Sequence, residues 1–394
     1  MAGFKHIFIN LMRTFLTSDN VKMFIEDSFF NKINTSDNDN DYDHSPSVQR
    51  WFFDKKAIIN QIDKWNKQLS WIRPYYAMKA NTSTELLNTL VNYGKNINIG
   101  LDVASLLETK KALQYVDKNR IIYTNPHFIP YEKPFFTKTD IHIKVVDNMT
   151  EIKKIADYGI FPDILIRLKS NIYDADCKFD SKFGCNIDEA IRIMKYANSN
   201  KIHICGISFH IGSGGEFNRK IAYQKAIEYA KPILDKIENP ILDIGGGLLY
   251  DTDLDEALGW TKDLPYQLIA EPGRYFAEPS YHLAIQIISK TERGVFLDNG
   301  VYQELNVYHR DHWKFPVLTH YYDHETNMIH KITDYITIPL FGPTCDSYDV
   351  IPCVTFPSNA EPNDWIFLSN MGAYTSAGAV NFNGVISASN SHLL

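Results

Sequence analysis

Short apolar runs alternate with longer segments of helical period from Tyr75 to Arg274, and this alternation constrains the fold more than any other feature. The runs that predict strands are Tyr75–Met78, Ile97–Leu101, Ile121–Tyr123, Ile141–Val146, Ile164–Leu168, Ile204–Phe209, Ile241–Ile244 and Gln267–Ala270. The segments that predict helices include Ser83–Tyr93, Ala104–Tyr115, Thr150–Tyr158, Ile187–Ala197 and Asn218–Ile237. Eight strands with intervening helices predict an α/β fold, a closed parallel (β/α)8 barrel. An open doubly wound sheet is the competing fold, but it needs no eighth unit.

The sequence pattern changes after residue 280. Short strand-like runs, such as Val295–Leu297, Tyr335–Leu340 and Trp365–Leu368, are separated by Asn-Gly, Gly-Pro and proline-rich turns. This pattern predicts an antiparallel β-domain. We therefore expect a barrel over residues 51–280 and a β-domain made of residues 1–50 and 281–394. Within residues 1–50, the stretch 34–48 is rich in Asn, Asp and Ser and predicts a solvated acidic loop.

Charge and cysteine content exclude several classes of protein. A net charge of −7 and a pI near 6.0 provide no basic surface for nucleic acid. The five cysteines are odd in number and lack CxxC spacing, so they do not indicate a disulfide framework and predict a reducing, cytoplasmic location. No apolar run approaches the roughly 18–20 residues that span a bilayer. Polar and charged residues interrupt the apolar N-terminus, which disfavours a signal peptide.

Chemically active side chains follow the predicted strands. In a barrel of this type the active residues lie at the carboxyl ends of the strands. Read in order, those ends carry Lys79, Asp102, Asn125, Asp147, Arg167, His210, Gly245-Gly246-Gly247, and Glu271 with Arg274. Lys79 can be a charged residue that ends a strand in solvent, or an amine that forms an imine with a carbonyl compound. The other strand-end residues are also chemically active types, and this favours an amine that forms an imine.

Three adjacent strand ends offer donors to one phosphate group. Gly245-Gly246-Gly247 would let backbone N–H groups approach an anion closely, although glycines after a strand also form plain turns. The previous strand end adds Ser213 beside further glycines, and the next adds the positive charge of Arg274. Many barrels bind phosphate near their last two strands. The sequence therefore predicts a phosphate site there.

Glu271 and His210 are candidates for contacts with a flat ligand. Apolar residues precede Glu271, so this carboxylate should be partly buried and needs a partner. Arg274 could serve structurally, whereas functionally a carboxylate can keep a pyridine nitrogen protonated. His210 lies between a strand and a Gly-Ser-Gly turn, which favours a ring stacked on a ligand over a satisfied core histidine.

Cys345 lies in the polar, proline-containing segment Gly342–Ser347, which is a poor place to bury a thiol. An accessible thiol there could donate a proton. His203 and Cys205 share one strand face, but no second pair follows at zinc-site spacing. We therefore predict no metal site.

Taken together, these segments resemble the eukaryotic-type ornithine decarboxylases, which are fold-type III pyridoxal phosphate enzymes with an alanine racemase-like barrel and β-domain. The resemblance extends from about Trp51 to Gly384. The matching segments, in the family's order, are Tyr76–Asn81, Ser208–Gly214, Asp243–Gly247, Glu271–Tyr275, Gly342–Asp346 and Met371–Thr375.

The resemblance implies a role for each matched residue. Lys79 would carry pyridoxal 5′-phosphate as an imine, His210 would stack on its ring, and Glu271 would pair with its pyridine nitrogen. The residues implied in binding the phosphate or the glycine-lined end of the cofactor are Ser213, Gly245, Gly246, Gly247, Gly273, Arg274 and Tyr374. Those implied to line the cofactor and the lysine are Asp102, Glu108 and Arg167. Cys345 would protonate the α-carbon, and Asp311 and Asp346 would bind the distal ammonium of the substrate.

The activity implied is decarboxylation of L-ornithine to putrescine, in polyamine biosynthesis, by a head-to-tail homodimer in which Cys345 and Asp346 reach the partner's barrel. Decarboxylases of lysine, arginine or diaminopimelate, and amino-acid racemases, share the scaffold and remain open. An inactive regulatory homologue would be expected to lose Lys79, Cys345 or a phosphate ligand, and all are present. One departure is Arg310, where a tyrosine is common, beside the substrate-binding Asp311.

Overall fold

The computed structural model describes residues 51–139, 141–159, 162–170, 181–213, 217–311, 313–326 and 328–385. The acidic loop predicted at 34–48, and the part of the β-domain assigned to residues 1–50, lie outside these ranges. The described chain divides into two compact units, one from Ile59 to Phe276 and the other from residues up to Ile58 together with those from Ala277 onward. Each unit is described by itself.

Short strands alternate with helices through the first part of the chain. The strands are β1 (Trp51–Phe53), β2 (Ile72–Ala77), β3 (Gly100–Val103), β4 (Ile121–Tyr123), β5 (Ile143–Val146), β6 (Asp163–Arg167), β7 (Ile204–Ser208), β8 (Ile241–Asp243) and β9 (Gln267–Ala270). The helices are α1 (Lys55–Gln68), α2 (Thr84–Tyr93), α3 (Leu106–Ala112), α4 (Lys133–Thr139), α5 (Met149–Tyr158), α6 (Ile187–Ser199), α7 (Arg219–Leu234), α8 (Leu254–Leu258) and α9 (Arg274–Ala277).

Strands β2 to β9 close into a parallel barrel, because β9 pairs with β2 as well as with β8. The predicted (β/α)8 barrel is therefore confirmed, and the open doubly wound sheet is wrong. Apolar side chains from alternate positions of the strands fill the barrel interior. These interior residues are Tyr75, Ile122, Ile143, Val145, Leu165, Cys205 and Ile269.

Polar side chains fix the start of several barrel helices. The Ser105 hydroxyl accepts a hydrogen bond from the Glu108 N–H, and the Asn148 side chain accepts one from the Glu151 N–H. Asn218 caps α7 in the same way. Such caps satisfy N–H groups that the first helical turn leaves unpaired. They determine where each loop at the carboxyl end of a strand stops.

The second unit is a β-sheet with its own apolar core. Its further elements are β10 (Tyr281–Thr291), β11 (Gly294–Leu297), β12 (His320–Asp323), β13 (Met328–Lys331), β14 (Tyr335–Phe341), β15 (Val350–Pro357), β16 (Trp365–Leu368), α10 (Val307–Arg310) and α11 (Thr375–Gly378). Strand order is β13-β12-β16-β10-β11-β14-β15, and β1 pairs with β10. The predicted antiparallel pairing holds except between β11 and β14, which are parallel. A long connection separates these two strands, and it leaves room for the crossover that parallel strands need.

Within the described ranges, no helix combines the length and the apolar character needed to cross a bilayer.

Candidate active site

The carboxyl end of the barrel gathers the polar side chains that follow interior positions. Side chains two residues apart on a strand share a face. Ile269 lies in the barrel interior, so Glu271, two residues later, continues on the interior face. Asp243 pairs with Ile269 in register, and Asp102 pairs with Ile122. The period of two thus explains why acidic residues of different strands meet at one end of the barrel.

Lys79 lies in a short 3₁₀ turn, Met78–Ala80, that directly follows β2. Its neighbours Met78 and Ala80 are completely buried, whereas the Lys79 side chain is exposed. Burial raises the pKa of the Asp102 and Glu108 carboxyls and lowers that of His210. The positive charge of Lys79 opposes the rise in the two acids and adds to the fall in His210. The structure therefore brings the predicted lysine together with two of the acids predicted to line it.

Asp102 is a buried acid beside that lysine. The Thr124 hydroxyl donates a hydrogen bond of 2.5 Å to Asp102 Oδ1. Burial, and then the negative charge of Glu271, raise the pKa of Asp102 well above its ordinary value despite the opposing effect of Lys79. The Thr124 contact was not predicted from the sequence, although Thr124 directly follows β4 and Asp102 lies near the end of the neighbouring strand β3.

His210 is buried and uncharged. The Gly212 N–H donates a hydrogen bond of 3.0 Å to His210 Nδ1, so the ring proton lies on Nε2. Burial, with the charges of Lys79 and Arg167, holds the pKa of His210 well below its ordinary value. A neutral imidazole at this position can contact the face of a flat ligand without adding positive charge.

The glycine segment after β8 packs closely against His210. A Cβ atom at Gly246 would lie 3.0 Å from His210 Nε2 and 3.0 Å from the Glu271 carbonyl oxygen, so a side chain there would crowd both. Gly247 has a φ of +106°, which side-chain-bearing residues rarely adopt. Gly273 is buried immediately before α9, and the half-buried Arg274 begins that helix. Ser213 is half-buried at the previous strand end.

Asp243 is a site residue whose role the sequence did not reveal. It is fully buried, and its Oδ1 accepts a hydrogen bond of 2.9 Å from the Gly245 N–H. Burial raises the pKa of Asp243 well above its ordinary value, and the charge and hydrogen bond of Glu271 raise it further. The sequence could have suggested Asp243, because it directly precedes Ile244 and the glycine segment. Its contact with Glu271, however, is visible only in the structure.

Several predicted strand-end residues bond to loops instead. Asp147 Oδ2 accepts a hydrogen bond of 2.9 Å from the Gly184 N–H, and the Arg167 guanidinium lies 5.1 Å from the centroid of the Phe183 ring. Asn125 bonds to the N–H of His127 and to the Ala104 carbonyl oxygen. The charge of Arg167 also lowers the pKa of His210, so Arg167 acts on another predicted site residue as well as contacting a loop.

His203 and Cys205, which the sequence did not favour as metal ligands, contact different groups. His203 is exposed, and its Nδ1 lies 2.7 Å from Asp163 Oδ1. Cys205 belongs to the barrel interior and its thiol donates to the Ile164 carbonyl oxygen.

In the β-sheet unit, Cys345 and Asp346 lie on a loop between β14 and β15. Cys345 is exposed, as predicted, and its N–H donates to Asn383 Oδ1 at 3.0 Å. Asp346 Oδ2 accepts a hydrogen bond of 2.5 Å from the Tyr302 hydroxyl, while Oδ1 accepts one of 3.0 Å from the Tyr348 N–H. These two bonds, that of Tyr302 first, hold the pKa of Asp346 below its ordinary value.

The same unit contains the other two predicted site residues. Asp311 directly follows α10 and its N–H bonds to the Val307 carbonyl oxygen. Arg310 is exposed, and its Nη1 atom lies close to Gly378: a Cβ atom placed on Gly378 would be 3.0 Å from it. Tyr374 has a left-handed backbone conformation with φ +63°.

Known proteins with similar sequences and folds are decarboxylases. Residues 55–278 match the pyridoxal-binding domain of the pyridoxal-dependent decarboxylases. A probable ornithine decarboxylase of Dictyostelium discoideum is 30% identical, over 84% of this chain and 76% of its own length. The agmatine-bound arginine decarboxylase of Paramecium bursaria Chlorella virus has a TM-score of 0.75 at 29% identity, covering 85% of this chain and 93% of its own. The putrescine complex of the Vibrio vulnificus lysine/ornithine decarboxylase has a TM-score of 0.73 at 25% identity, covering 86% and 92%.

Proposed function

This chain belongs to the pyridoxal-dependent decarboxylases of the ornithine decarboxylase type, and we propose that it converts L-ornithine to putrescine and carbon dioxide. The observation that carries the proposal is the group formed by Lys79, Asp102, His210 and Glu271 at one end of the barrel. An amine, two acids and a neutral ring are the parts that pyridoxal phosphate chemistry requires of a protein. Putrescine production would give the enzyme a role in polyamine biosynthesis.

Pyridoxal phosphate, when bound, supplies an aldehyde for an amine and a protonated ring that accepts the electron pair left by departing carbon dioxide. Lys79 offers the attaching amine, and the carboxyls of Asp102 and Glu108 lie close enough for its charge to act on them. Glu271 would pair with the ring nitrogen, and the neutral His210 would cover one face of the ring. These residues would stabilise the charge on the bound cofactor and fix its orientation, which is the contribution expected of the protein in this chemistry.

We further propose that the phosphate group is held by the glycine segment Gly245–Gly247, with Ser213, Gly273, Arg274 and Tyr374. A side chain at Gly246 would crowd His210 and the Glu271 carbonyl oxygen, so the backbone of this segment packs directly against two residues proposed to contact the cofactor. Arg274 adds the fixed charge that a phosphate monoester favours. Arg167 would line the ring side of the site, where it already affects His210.

A homodimer would complete the site. We propose that Cys345 and Asp346 of each subunit serve the barrel of its partner, with the Cys345 thiol as the donor of the proton that replaces carbon dioxide. The exposure of Cys345 supports a thiol that meets substrate. A cytoplasmic location accords with free cysteines, which persist in a reducing compartment.

Substrate choice would depend on Asp311 and Asp346, because two carboxylates select a distal ammonium by charge. The lowered pKa of Asp346 keeps that carboxylate ionised at neutral pH. Lysine is a second candidate substrate, since a solved relative is a lysine/ornithine decarboxylase. Arginine is a third, because an arginine decarboxylase has the same fold. The exposed Arg310 beside Asp311 makes a substrate with a distal anion, such as diaminopimelate, a further candidate to test.

One experiment tests the activity and the role of Lys79 together. Purified protein with pyridoxal phosphate is given ornithine, lysine, arginine or diaminopimelate, and release of carbon dioxide is measured. We expect the highest kcat/KM with ornithine and no turnover by Lys79→Ala. Borohydride reduction followed by peptide mapping should find a pyridoxyl group on Lys79. A different preferred substrate would overturn the choice of ornithine, and an unlabelled Lys79 would overturn the cofactor assignment.

A further inference from the structure

The three carbonyl oxygens of the glycine segment each accept a hydrogen bond from a different element. The Glu271 N–H donates to the Gly245 oxygen at 2.7 Å. The Tyr223 hydroxyl donates to the Gly246 oxygen at 2.8 Å, and Arg219 Nε donates to the Gly247 oxygen at 2.8 Å. Consecutive carbonyl groups are therefore held by one backbone donor and two side chains of helix α7.

These bonds orient the N–H groups of the segment. In a trans peptide unit, the carbonyl oxygen and the following N–H point in opposite directions. The N–H groups of Gly246, Gly247 and Leu248 accordingly point away from Glu271 N, Tyr223 and Arg219. Among the described residues, no backbone carbonyl accepts a hydrogen bond from these three N–H groups. They remain available to an anion.

Tyr223 and Arg219 are suited to hold this arrangement. They lie four residues apart on α7, so they share one face of the helix. Tyr223 is completely buried, and the Arg219 guanidinium lies 5.0 Å from the centroid of the Phe217 ring. Water cannot easily replace a buried donor, so loss of either bond would leave a glycine carbonyl unpaired and free to rotate.

We infer that Tyr223 and Arg219 are positioning residues for the phosphate of the cofactor, acting by holding the carbonyl groups of Gly246 and Gly247 away from it. This inference rests on the proposed phosphate site. Neither side chain needs to touch the cofactor. Their contribution is to present N–H groups, rather than carbonyl oxygens, to a phosphate monoester.

A merely structural role would weaken every ligand of the barrel, whereas this role affects the phosphate alone. The test therefore compares pyridoxal phosphate with pyridoxal, which lacks the phosphate. The Kd of each is measured for the cofactor-free, full-length protein and its variants. The informative quantity is the ratio of the two Kd values.

The variants separate the hydrogen bond from other properties of the side chains. Tyr223→Phe removes only the hydroxyl. Arg219→Gln places an amide nitrogen at the same distance along the side chain as Arg219 Nε, so it keeps the donor without the charge, whereas Arg219→Met places a methyl group there. Tyr335→Phe is the matched control, because the Tyr335 hydroxyl donates to the Leu318 carbonyl oxygen in the other unit.

We expect Tyr223→Phe and Arg219→Met each to raise the Kd of pyridoxal phosphate by at least about fivefold, the effect of losing one hydrogen bond. The Kd of pyridoxal should not change, and Arg219→Gln and Tyr335→Phe should resemble wild type. Equal weakening of both ligands, or no weakening, would overturn the inference. If Tyr223→Phe does not fold, as judged by circular dichroism, the comparison of Arg219→Met with Arg219→Gln decides. Wild-type protein that binds pyridoxal phosphate no better than pyridoxal would instead overturn the proposed phosphate site.

Discussion

Asp243 and Glu271 end neighbouring barrel strands with their carboxyl groups in hydrogen-bonding range. Two buried carboxylates at that separation cannot both be ionised, because each charge destabilises the other. Within the described part of the chain, no N–H or O–H donor reaches Asp243 Oδ2. Burial and the charge of Glu271 raise the pKa of Asp243, so its carboxyl favours the neutral form and can donate a hydrogen bond to Glu271.

This relationship predicts the behaviour of substitutions at Asp243. Asp243→Asn keeps a neutral donor of the same shape, so its Kd for pyridoxal phosphate should remain within about twofold of wild type. Asp243→Leu removes the donor, and the Kd should rise about tenfold, as for loss of a hydrogen bond to a charged group. Titration of the cofactor absorbance measures both values. Weakening by Asn as strong as that by Leu would mean that Asp243 acts through a negative charge.

Tyr302 should control the affinity of Asp346 for substrate. Tyr302→Phe removes the hydroxyl that bonds to Asp346, so the KM for ornithine should rise about fivefold with little change in kcat. The pKa of Asp346 should also move up toward its ordinary value, so that the loss of affinity on acidification begins at higher pH. Steady-state kinetics at neutral pH measure the KM and kcat, and a pH series extended down to about pH 4, near the ordinary pKa of an aspartate, measures the shift, with Tyr335→Phe as the control. A change confined to kcat would be inconsistent with this role.

Cys345→Ala should lower the decarboxylation rate about 100-fold, within the range of general acid catalysis, and reduce the putrescine formed per carbon dioxide released. The reason is that the Cys345 thiol is the proposed donor of the proton to the α-carbon. Cys353→Ala is the matched control, because Cys353 is also an exposed free cysteine of the same unit. Quantifying putrescine and carbon dioxide in the same reaction gives the ratio. Identical rates and ratios in Cys345→Ala and wild type would remove Cys345 from the mechanism.

Lys144 should make stability depend on pH. It points out of the barrel between Ile143 and Val145, and its Nζ lies 3.3 Å from the centroid of the Phe128 ring and 3.3 Å from the Asn125 carbonyl oxygen. Burial lowers the pKa of Lys144 to about 7, although Glu151, Glu132 and Asp147 act in the opposite direction and Lys154 in the same one.

The sign of the effect follows from proton binding. Between pH 7 and about 10, the unfolded chain keeps the Lys144 proton and the folded protein has lost it, so stability rises with pH by at most about 1.4 kcal/mol per unit. Relative to Lys144→Met, wild type should therefore gain stability from pH 7 to pH 9. Urea unfolding of both proteins at several pH values measures the difference. Parallel curves would show that Lys144 keeps its proton when folded.

The sequence predicted the barrel well because its period-two strands and capped helices are local features. It placed β4 and β9 at their observed limits. It placed the second predicted strand at Ile97–Leu101, whereas the corresponding strand β3 covers Gly100–Val103. A 3₁₀ turn ending at Ile97 and a left-handed Asn98 occupy the predicted start, and apolar content alone did not reveal them.

The order and chemical type of the strand-end residues are likewise properties of the sequence, which is why the apolar runs placed Lys79, Asp102, His210 and Glu271 at strand ends. The same runs also selected Asn125 and Asp147, which bond to loops instead. The sequence by itself determined which groups end the strands. Tertiary structure decided which acid keeps a proton, and which donors hold the glycine carbonyl groups. Those properties depend on burial and on distances between residues such as Tyr223 and Gly246, which only the closed barrel brings together.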